Sequence, residues 1–225
     1  MVDPLPILLA AARGPQRRLF GIAAEPGAGK TTLAGQLCAD VNAVYPGACV
    51  ALSMDGYHLR RAQLSEGVGG RSAEESHRRR GAPFTFDAAG LAAKLRAVRE
   101  GFGAAPVAWP AFDHAVKDPV QNAVVVSPEA RVVIVEGLYL LHRSDGFEAL
   151  EGLLDATYYL ATPFPLADAR LLARHQEAWG ISEAEARQRI SENDGPNALL
   201  VRQGIPRATA LVNSRDQLHS REGLK

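Results

Sequence analysis

Cysteine is scarce in this sequence, and neither charge is in excess. The two cysteines, Cys38 and Cys49, have no neighbouring histidines, so we expect reduced thiols that pack in the core rather than a zinc site. Twenty-five basic residues balance twenty-five acidic ones, which argues against a general nucleic-acid binder. The apolar segment 7–12 is too short for a membrane span and lacks the basic leader of a signal peptide. These absences favour a cytoplasmic protein that binds neither nucleic acid nor membrane.

Short apolar runs alternate with segments of helical periodicity along the whole chain. Strands are predicted at residues 19–23, 49–54, 107–109, 131–135 and 156–160, with a weak one at 208–212. Helices are predicted at residues 31–44, 87–101, 165–179 and 182–193. The alternation predicts an α/β fold with a mostly parallel sheet and helices on both faces. A chain of 225 residues is expected to form one such domain, and the segment 67–80 is expected to be its least regular part.

The segment RLFGIAAEPGAGKTT, residues 18–32, has the pattern of a strand, a glycine-rich loop and a helix start. It matches G-x-x-x-x-G-K-[ST], except that Ala24 replaces the first glycine. Glycines let backbone N–H groups face phosphate oxygens, and the positive end of the following helix points at them. Lys30 can reach the β- and γ-phosphates, and Thr31 can place its hydroxyl on Mg²⁺. The pattern predicts nucleoside triphosphate binding by Glu25, Pro26, Gly27, Ala28, Gly29, Lys30, Thr31 and Thr32.

Two carboxylates stand where predicted strands end. If the strand 49–54 lies beside the phosphate-loop strand, Asp55 projects at the same edge as Lys30, where it could accept a hydroxyl proton and help to hold Mg²⁺. The alternative is that Asp55 and Gly56 only form a turn. Glu136 follows four consecutive β-formers, which predict a central buried strand, and is a second candidate ligand of Mg²⁺. Its alternative is an exposed strand end.

Four segments together resemble the phosphoribulokinase/uridine kinase family of P-loop kinases. They are residues 27–32, 53–57, 110–113 and 135–137. Segments 54–58, 80–83, 85–87 and 193–197 resemble a poorly characterised branch of that family, the nucleoside/nucleotide kinase-like proteins, some of which are labelled sugar-transport-associated kinases. The resemblance implies the three-layer sandwich of P-loop NTPases, as a single kinase domain over residues 1–225 with a helical lid at about 163–200. It also implies that Asp55 is the general base and that Thr31 and Glu136 support Mg²⁺.

The family has a lid helix whose arginines close on the phosphates. Arg170 and Arg174 are four residues apart and share one helix face, so they are predicted to act in catalysis with Lys30 and Asp55. A solvated helix face is the alternative. Contacts to the phosphate acceptor are predicted at Tyr57, His58, Arg80, Phe112, Asp113 and His114. Uridine kinases usually have an aromatic residue where His114 stands, which weakens a pyrimidine acceptor. Tyr57, His58 and His114 suit a polyol or a vitamin, or lie at a rim without a ligand.

The sequence favours a Mg²⁺- and ATP-dependent kinase that transfers the γ-phosphate to a hydroxyl of a small molecule, nucleoside or sugar-like. A pantothenate-like vitamin kinase is one alternative, and a regulatory P-loop NTPase without a small-molecule acceptor is another. The chain has no Asn-Lys-x-Asp guanine motif. Of the run Arg78–Arg80, only Arg80 is predicted to approach the acceptor, and Asp87 is expected to cap a helix. The acceptor, the oligomeric state (a homodimer included) and the role of the segment 193–197 stay open.

Overall fold

The computed structural model describes residues 1–113 and 115–213. Its strands are β1 (Arg18–Ala23), β2 (Cys49–Ser53), β3 (Val107–Asp113), β4 (Asp118–Val126), β5 (Val132–Gly137), β6 (Ala156–Leu160) and β7 (Ala210–Val212). Five of them form a parallel sheet in the order β2–β5–β1–β6–β7, and β3 pairs with β4 in a separate antiparallel hairpin. The predicted α/β fold with a mostly parallel sheet is therefore confirmed.

Helices connect these strands. They are α1 (Leu5–Arg13), α2 (Lys30–Val44), α3 (Arg61–Ser65), α4 (Ala73–Arg78), α5 (Ala88–Glu100), α6 (Phe164–Trp179), α7 (Glu183–Arg189) and α8 (Gly195–Arg202). A π-helical turn, Ile190–Asp194, joins α7 to α8, and short 3₁₀ turns lie at Met54–Tyr57, Pro83–Thr85, Phe147–Leu150 and Ile205–Arg207. Among the helices of the described residues, none is long and apolar enough to cross a membrane.

The sheet buries both of its faces. Successive strand residues point to opposite sides, so Phe20 and Ile22 pack on one face with α1 and α2, while Leu19 packs on the other with α5. All six residues of β5 are buried, as expected of a strand at the centre of a parallel sheet. Helices on both faces thus give the predicted three layers.

The hairpin of β3 and β4 is the main departure from the predicted strands. The predicted strand 107–109 continues to Asp113, and it pairs with β4, which the sequence did not indicate, instead of joining the sheet. Most of β4 is exposed, so its apolar pattern is weak. The buried Trp109 donates a hydrogen bond from Nε1 to Ser53 O at 2.9 Å, which fixes the hairpin beside the end of β2. The hairpin therefore packs at the carboxyl end of β2.

The structure also departs from the prediction in two other segments, the predicted helix 182–193 and the predicted irregular segment 67–80. Residues 183–202 form one helical run, because α7 continues through the π-helical turn into α8. Pro196 cannot donate an intrahelical hydrogen bond, and the π-helical turn just before it is where the run accommodates this missing N–H. Within the irregular segment, Ser72 caps α4 by accepting a hydrogen bond from Glu75 N at 3.1 Å.

A buried arginine joins three segments just before β1. Arg17 is 2% exposed, and its guanidinium donates to Ala130 O at 2.7 Å and to Val98 O and Ser127 O at 2.5 Å each. Burial lowers the pKa of Arg17. The three carbonyls belong to the last turn of α5 and to the connection between β4 and β5, so Arg17 fixes both against the central strand.

Candidate active site

The phosphate loop follows β1 and leads directly into α2. Gly27 and Gly29 have φ angles of +74° and +94°, which side chains rarely adopt, so both glycines are required by the shape of the loop. Lys30 folds back and donates from Nζ to Glu25 O at 3.0 Å. Ala24, at the position of the missing first glycine, is fully buried beneath the loop. A small side chain is therefore accommodated there without loss of the loop.

The two predicted carboxylates meet at one edge of the sheet, but their order differs from the expectation. β2 does not lie beside β1, because β5 separates them, and Glu136 pairs with Ile22 on one side and Ser53 on the other. Glu136 is 4% exposed and accepts a hydrogen bond from Thr31 Oγ1 at 3.1 Å. Asp55 follows the end of β2, and its N–H donates to Ser53 Oγ at 3.2 Å. Glu136, not Asp55, is therefore the neighbour of the phosphate-loop strand.

The pKa values of Glu136 and Lys30 respond to the charges around them. Burial and the charge of Asp55 raise the pKa of Glu136, while Lys30 and a hydrogen bond from Thr31 oppose that rise. Burial lowers the pKa of Lys30, an effect that Glu136 and Asp55 oppose and Arg174 reinforces. Each of these side chains therefore lies within electrostatic reach of Lys30.

The oxygen atoms at this edge suit Mg²⁺. Thr31 contributes a hydroxyl, and Glu136 and Asp55 contribute carboxylates, which are the ligands that this ion prefers. Over residues 1–113 and 115–213 there is no group of three or more metal-ligating His, Cys, Asp or Glu side chains. Mg²⁺ in phosphoryl-transfer sites uses one or two carboxylates together with waters and phosphate oxygens, so the residues present fit the ion.

Helix α6 lies against the phosphate loop, as the lid prediction requires. A Cβ atom placed on Gly29 would lie 3.4 Å from Arg170 Nη1, and one placed on Gly27 would collide with Ala167 O. Arg174 acts on the pKa of Lys30. Arg170 and Arg174 therefore both belong to the face of α6 that is turned toward the loop.

A second contact to the phosphate loop was not expected from the sequence. Arg202, at the end of α8, binds both carboxylate oxygens of Glu25, with Nε–Oε1 at 2.6 Å and Nη2–Oε2 at 2.7 Å. Tyr159 donates its hydroxyl to Glu25 Oε1 at 3.0 Å, and Thr162 donates to Ala28 O at 2.8 Å. Arg202, Tyr159 and Thr162 are each more than a hundred residues from their partners in the phosphate loop. The only sequence pattern that could have indicated one of these contacts is the position of Tyr159 near the carboxyl end of β6.

Three of the predicted acceptor residues form one group beside Asp55. The ring of His58 lies 5.0 Å from that of Phe112, and Arg80 Cζ lies 5.3 Å from the Phe112 ring centroid. His58 Nδ1 is 2.9 Å from Asp55 O. Arg80 also pairs with Asp118, Nη2–Oδ1 2.6 Å, so its charge is already balanced.

The other predicted acceptor residues are placed differently. Tyr57 packs edge-on against Trp109 in the core, at 5.1 Å between ring centroids, and burial together with Asp87 raises its pKa. Asp113 Oδ1 accepts hydrogen bonds from two N–H groups of the hairpin turn, at 2.8 and 3.0 Å. The structure thus uses Tyr57 in the core and Asp113 in a turn, and His114 lies outside the described residues. Asp87 caps α5 as expected, by accepting from Gly90 N at 2.8 Å.

The segment 193–197 makes a contact that the sequence did not reveal. Arg79 donates from Nε to Asn193 Oδ1 at 3.2 Å and from Nη2 to Asn197 Oδ1 at 3.3 Å. Asn193 Nδ2 donates in turn to Arg80 O at 2.8 Å. The helical run after α6 is therefore joined to α4 and to the arginine run at its end.

Comparisons with known proteins agree with this architecture. No protein-family profile matches the chain. The ATP-dependent kinase-like protein notR' of Aspergillus versicolor is 40% identical over 148 residues, which cover 64% of this chain and 84% of the relative. A Schizosaccharomyces pombe protein named as a candidate uridine kinase is 33% identical over 193 residues, or 84% of this chain and 80% of the relative.

The chain belongs to the phosphoribulokinase/uridine kinase family of P-loop kinases. The structure of this P-loop kinase also superimposes on the crystal structure of a candidate fructose transport system kinase from Silicibacter, with a TM-score of 0.78 and 29% identity. That match covers 94% of this kinase and 100% of the Silicibacter chain. The likeness therefore extends over nearly the whole of this chain.

Proposed function

We propose that this P-loop kinase transfers the γ-phosphate of ATP to a hydroxyl of a small, nucleoside- or sugar-like molecule bound beside Asp55. The observation that carries the proposal is the meeting of Lys30, Asp55 and Glu136 at one strand edge, where each charge acts on another. The kinase names of its relatives support it as well.

Asp55 is proposed as the general base. It takes the proton of the acceptor hydroxyl, the acceptor oxygen bonds to the γ-phosphorus, and the bond from that phosphorus to the β,γ-bridging oxygen breaks, so that ADP leaves. The hydrogen bond from its own N–H to Ser53 Oγ fixes the turn that carries Asp55. A fixed base is needed because it must lie within hydrogen-bond reach of the acceptor hydroxyl.

Thr31, Glu136 and Asp55 are proposed to hold Mg²⁺. Bound there, the ion would supply positive charge that neutralises the charge developing on the transferred phosphoryl group. The hydrogen bond from Thr31 to Glu136 keeps these two oxygen ligands side by side. Asp55 has a second role as base, and its carboxylate has enough lone pairs for both.

Residues 25–32 are proposed to bind the triphosphate, with Lys30, Arg170 and Arg174 as its cations. The backbone N–H groups of the loop and the start of α2 suit phosphate oxygens. The two arginines come from the other side, on α6, so phosphate would lie between two positively charged surfaces. Such placed charges stabilise the transferring phosphoryl group most strongly in the transition state.

His58, Phe112 and Arg80 are proposed to line the acceptor site. Their contacts to one another and to Asp55 support this assignment. Tyr57 is assigned to packing instead, because its ring is buried against Trp109. Aromatic rings beside a charged side chain can bind a nucleoside, a sugar or a pantothenate-like alcohol.

The test is ATP consumption by the purified protein with Mg²⁺, with and without a library of nucleosides, sugars and vitamins. We expect ADP release that depends on an added acceptor and falls by about 10²-fold or more in Lys30→Ala, because that charge contacts the transferring phosphate. ATP hydrolysis at the same rate with and without every acceptor would instead indicate a regulatory NTPase. Turnover unchanged in a folded Lys30→Ala protein would contradict any P-loop chemistry.

A further inference from the structure

The neighbouring residues Arg79 and Arg80 are held in different ways. Arg80 forms an ion pair with Asp118, at 2.6 Å. Arg79 is bound by the amide oxygens of Asn193 and Asn197 instead, at 3.2 and 3.3 Å. Both asparagines are buried, with exposed fractions of 6% and 2%. Among the residues that the structure describes, no carboxylate pairs with Arg79.

An amide oxygen orients a guanidinium without neutralising it. Arginine has five N–H donors in a planar fork, and the two asparagines use two of those of Arg79. The remaining donors have no hydrogen-bond partner within the described residues, and the full positive charge is retained. A fork held in this way suits the two oxygens of a carboxylate or phosphate.

Arg79 lies on the same side of the protein as the proposed base. Tyr139 lies between the two, because its N–H donates to Met54 Sδ, next to Asp55, at 3.5 Å. Burial raises the pKa of its hydroxyl, Arg79 lowers it, and Asp194, Asp145 and Asp55 raise it. The hydroxyl donates to Gly81 O at 2.7 Å. Asn193 and Asn197 together form an amide clamp on Arg79. A Cβ atom on Gly81 would lie 3.8 Å from their amide nitrogens, so this clamp and Tyr139 contact the same turn.

Two more cations lie at this end of the lid. Lys117 Nζ is 3.4 Å from the ring centroid of Trp179, at the end of α6, and Arg189 Cζ is 4.7 Å from the same centroid. Arg189 Nε is buried without a hydrogen-bond partner among the described residues. An aromatic face attracts a cation but leaves its charge in place. Lys117 and Arg189 therefore keep their charges where they contact Trp179.

We infer that the phosphate acceptor is itself an anion, an alcohol with a carboxylate or phosphate group that Arg79 binds through its fork. This inference rests on the proposed kinase function, and it names the substrate class of that site. The acceptor hydroxyl is directed to Asp55 while its anionic group is held at Arg79. Arg80, which the sequence favoured as the acceptor arginine, lines the same site, but its charge is already paired with Asp118.

The test compares acceptors in pairs. Hydroxy acids and sugar phosphates are supplied with ATP and Mg²⁺, each beside a neutral counterpart in which the acid is an amide or the phosphate is removed. We expect ATP consumption with an anionic member and at least 10-fold lower kcat/KM with its neutral counterpart, the range for loss of hydrogen bonds to a charged group. Whether a carboxylate or a phosphate acceptor is used identifies the anionic group.

Variants assign the effect to Arg79. Arg79→Gln removes the charge, and Asn197→Asp keeps Arg79 but pairs it with a carboxylate, so each should raise the KM of the anionic acceptor by about 10- to 100-fold. The KM of ATP should change less than twofold. Arg78→Gln removes a neighbouring exposed charge and is the matched control, with both KM values unchanged.

The results distinguish a failure of the anionic-acceptor inference from a failure of the proposed kinase function. A neutral acceptor that is used as well as its anionic counterpart overturns the inference and leaves the kinase function intact. So does an unchanged acceptor KM in both variants, or a rise in the KM of ATP alone, which would make Arg79 a nucleotide ligand. ATP turnover that no acceptor stimulates overturns the kinase function itself.

Discussion

At the scale of single residues, the strand edge brings Asp55 close to Glu136 and Lys30, whose pKa values each reflect the charge of the other. Burial alone would favour the neutral forms of Glu136 and Lys30. The charge of each group partly restores the ionised form of the other. Asp55 stands two residues beyond Ser53, the strand partner of Glu136, and is half-buried. A carboxylate that keeps contact with solvent can exchange its proton after each turnover, which a base must do.

Replacement of Asp55 by asparagine tests its role as a base. Asp55→Asn keeps the size of the side chain but cannot take a proton, so we expect phosphoryl transfer to fall by about 10²- to 10⁴-fold. Single-turnover transfer and calorimetric ATP affinity are the measurements, and ATP should still bind. Loss of ATP affinity with unchanged transfer would make Asp55 a binding residue, and no change in either would leave it as part of a turn.

The two cysteines give a prediction that depends on pH. A hydrogen bond from Cys49 lowers the pKa of Cys38 to about 7, whereas the same contact and burial raise the pKa of Cys49. The thiolate is the reactive form, so alkylation of Cys38 by iodoacetamide should rise through about pH 7 and level off above it. Mass spectrometry should find Cys49 unlabelled over this range.

A variant provides the control for this prediction. Cys49→Ala removes the hydrogen bond, so the midpoint for alkylation of Cys38 should move to higher pH. Equal labelling of both thiols in the unmodified protein would contradict the assignment, as would a midpoint that Cys49→Ala leaves in place.

At the scale of elements, one helical region contacts both halves of the site. Helix α6 faces the phosphate loop, and the run of α7, the π-helical turn and α8 reaches Arg79 at one point and Glu25 at another. His175 of α6 is 7% exposed and pairs with Asp194 of the π-helical turn, Nε2–Oδ2 2.8 Å. Helix α6 is therefore tied to the helical run that follows it.

The lid arginines should matter more for catalysis than for nucleotide binding. Arg170→Ala and Arg174→Ala remove cations that oppose Lys30 across the phosphate site, so we expect kcat to fall by about 10-fold or more while the Kd of ATP changes less. Arg187→Ala, which removes an exposed arginine paired with Glu183 on α7, is the control and should change neither. Loss of ATP affinity alone would make the two arginines ground-state ligands, and no loss would make them part of a solvated face.

Local patterns in the sequence predicted the parts of the site that local structure determines. The phosphate loop, the carboxylates at Asp55 and Glu136 and the face shared by Arg170 and Arg174 all follow from spacing within one element. Partners far apart in sequence left no such pattern. The amide clamp on Arg79 and the ion pair of Glu25 with Arg202 each depend on how helices pack after the chain has folded.

At the scale of the whole molecule, alternating strands and helices predicted a parallel sheet but not the order of its strands. The observed order places β5 between β1 and β2. Glu136 at the end of β5, rather than Asp55 after β2, therefore lies beside the phosphate loop. The sequence did not predict the hairpin of β3 and β4, because β4 is mostly exposed and has little apolar periodicity. Both features are consequences of tertiary packing.

The stability of the whole fold should depend strongly on Arg17. Arg17→Ala leaves three carbonyls without their charged donor, so we expect a loss of about 2–4 kcal/mol in the free energy of unfolding. Urea unfolding measures it. Arg18→Ala, at the next position, removes a half-exposed ion pair with Asp155 and should cost less than about 1 kcal/mol. Equal losses in the two variants would show that the buried hydrogen bonds contribute no more than a surface pair.

The amide clamp on Arg79 has a thermodynamic consequence. Because Asn193 and Asn197 belong to the helical region that also contacts the phosphate loop, a ligand that orders one half of the site changes the free energy of ordering the other half. Around a closed cycle of two binding steps, the factor by which ATP tightens the acceptor must equal the factor by which the acceptor tightens ATP. Calorimetric titrations of each ligand in the presence and absence of the other, with a non-hydrolysable ATP analogue, should give two equal factors above one, and Asn197→Asp should bring both toward one together.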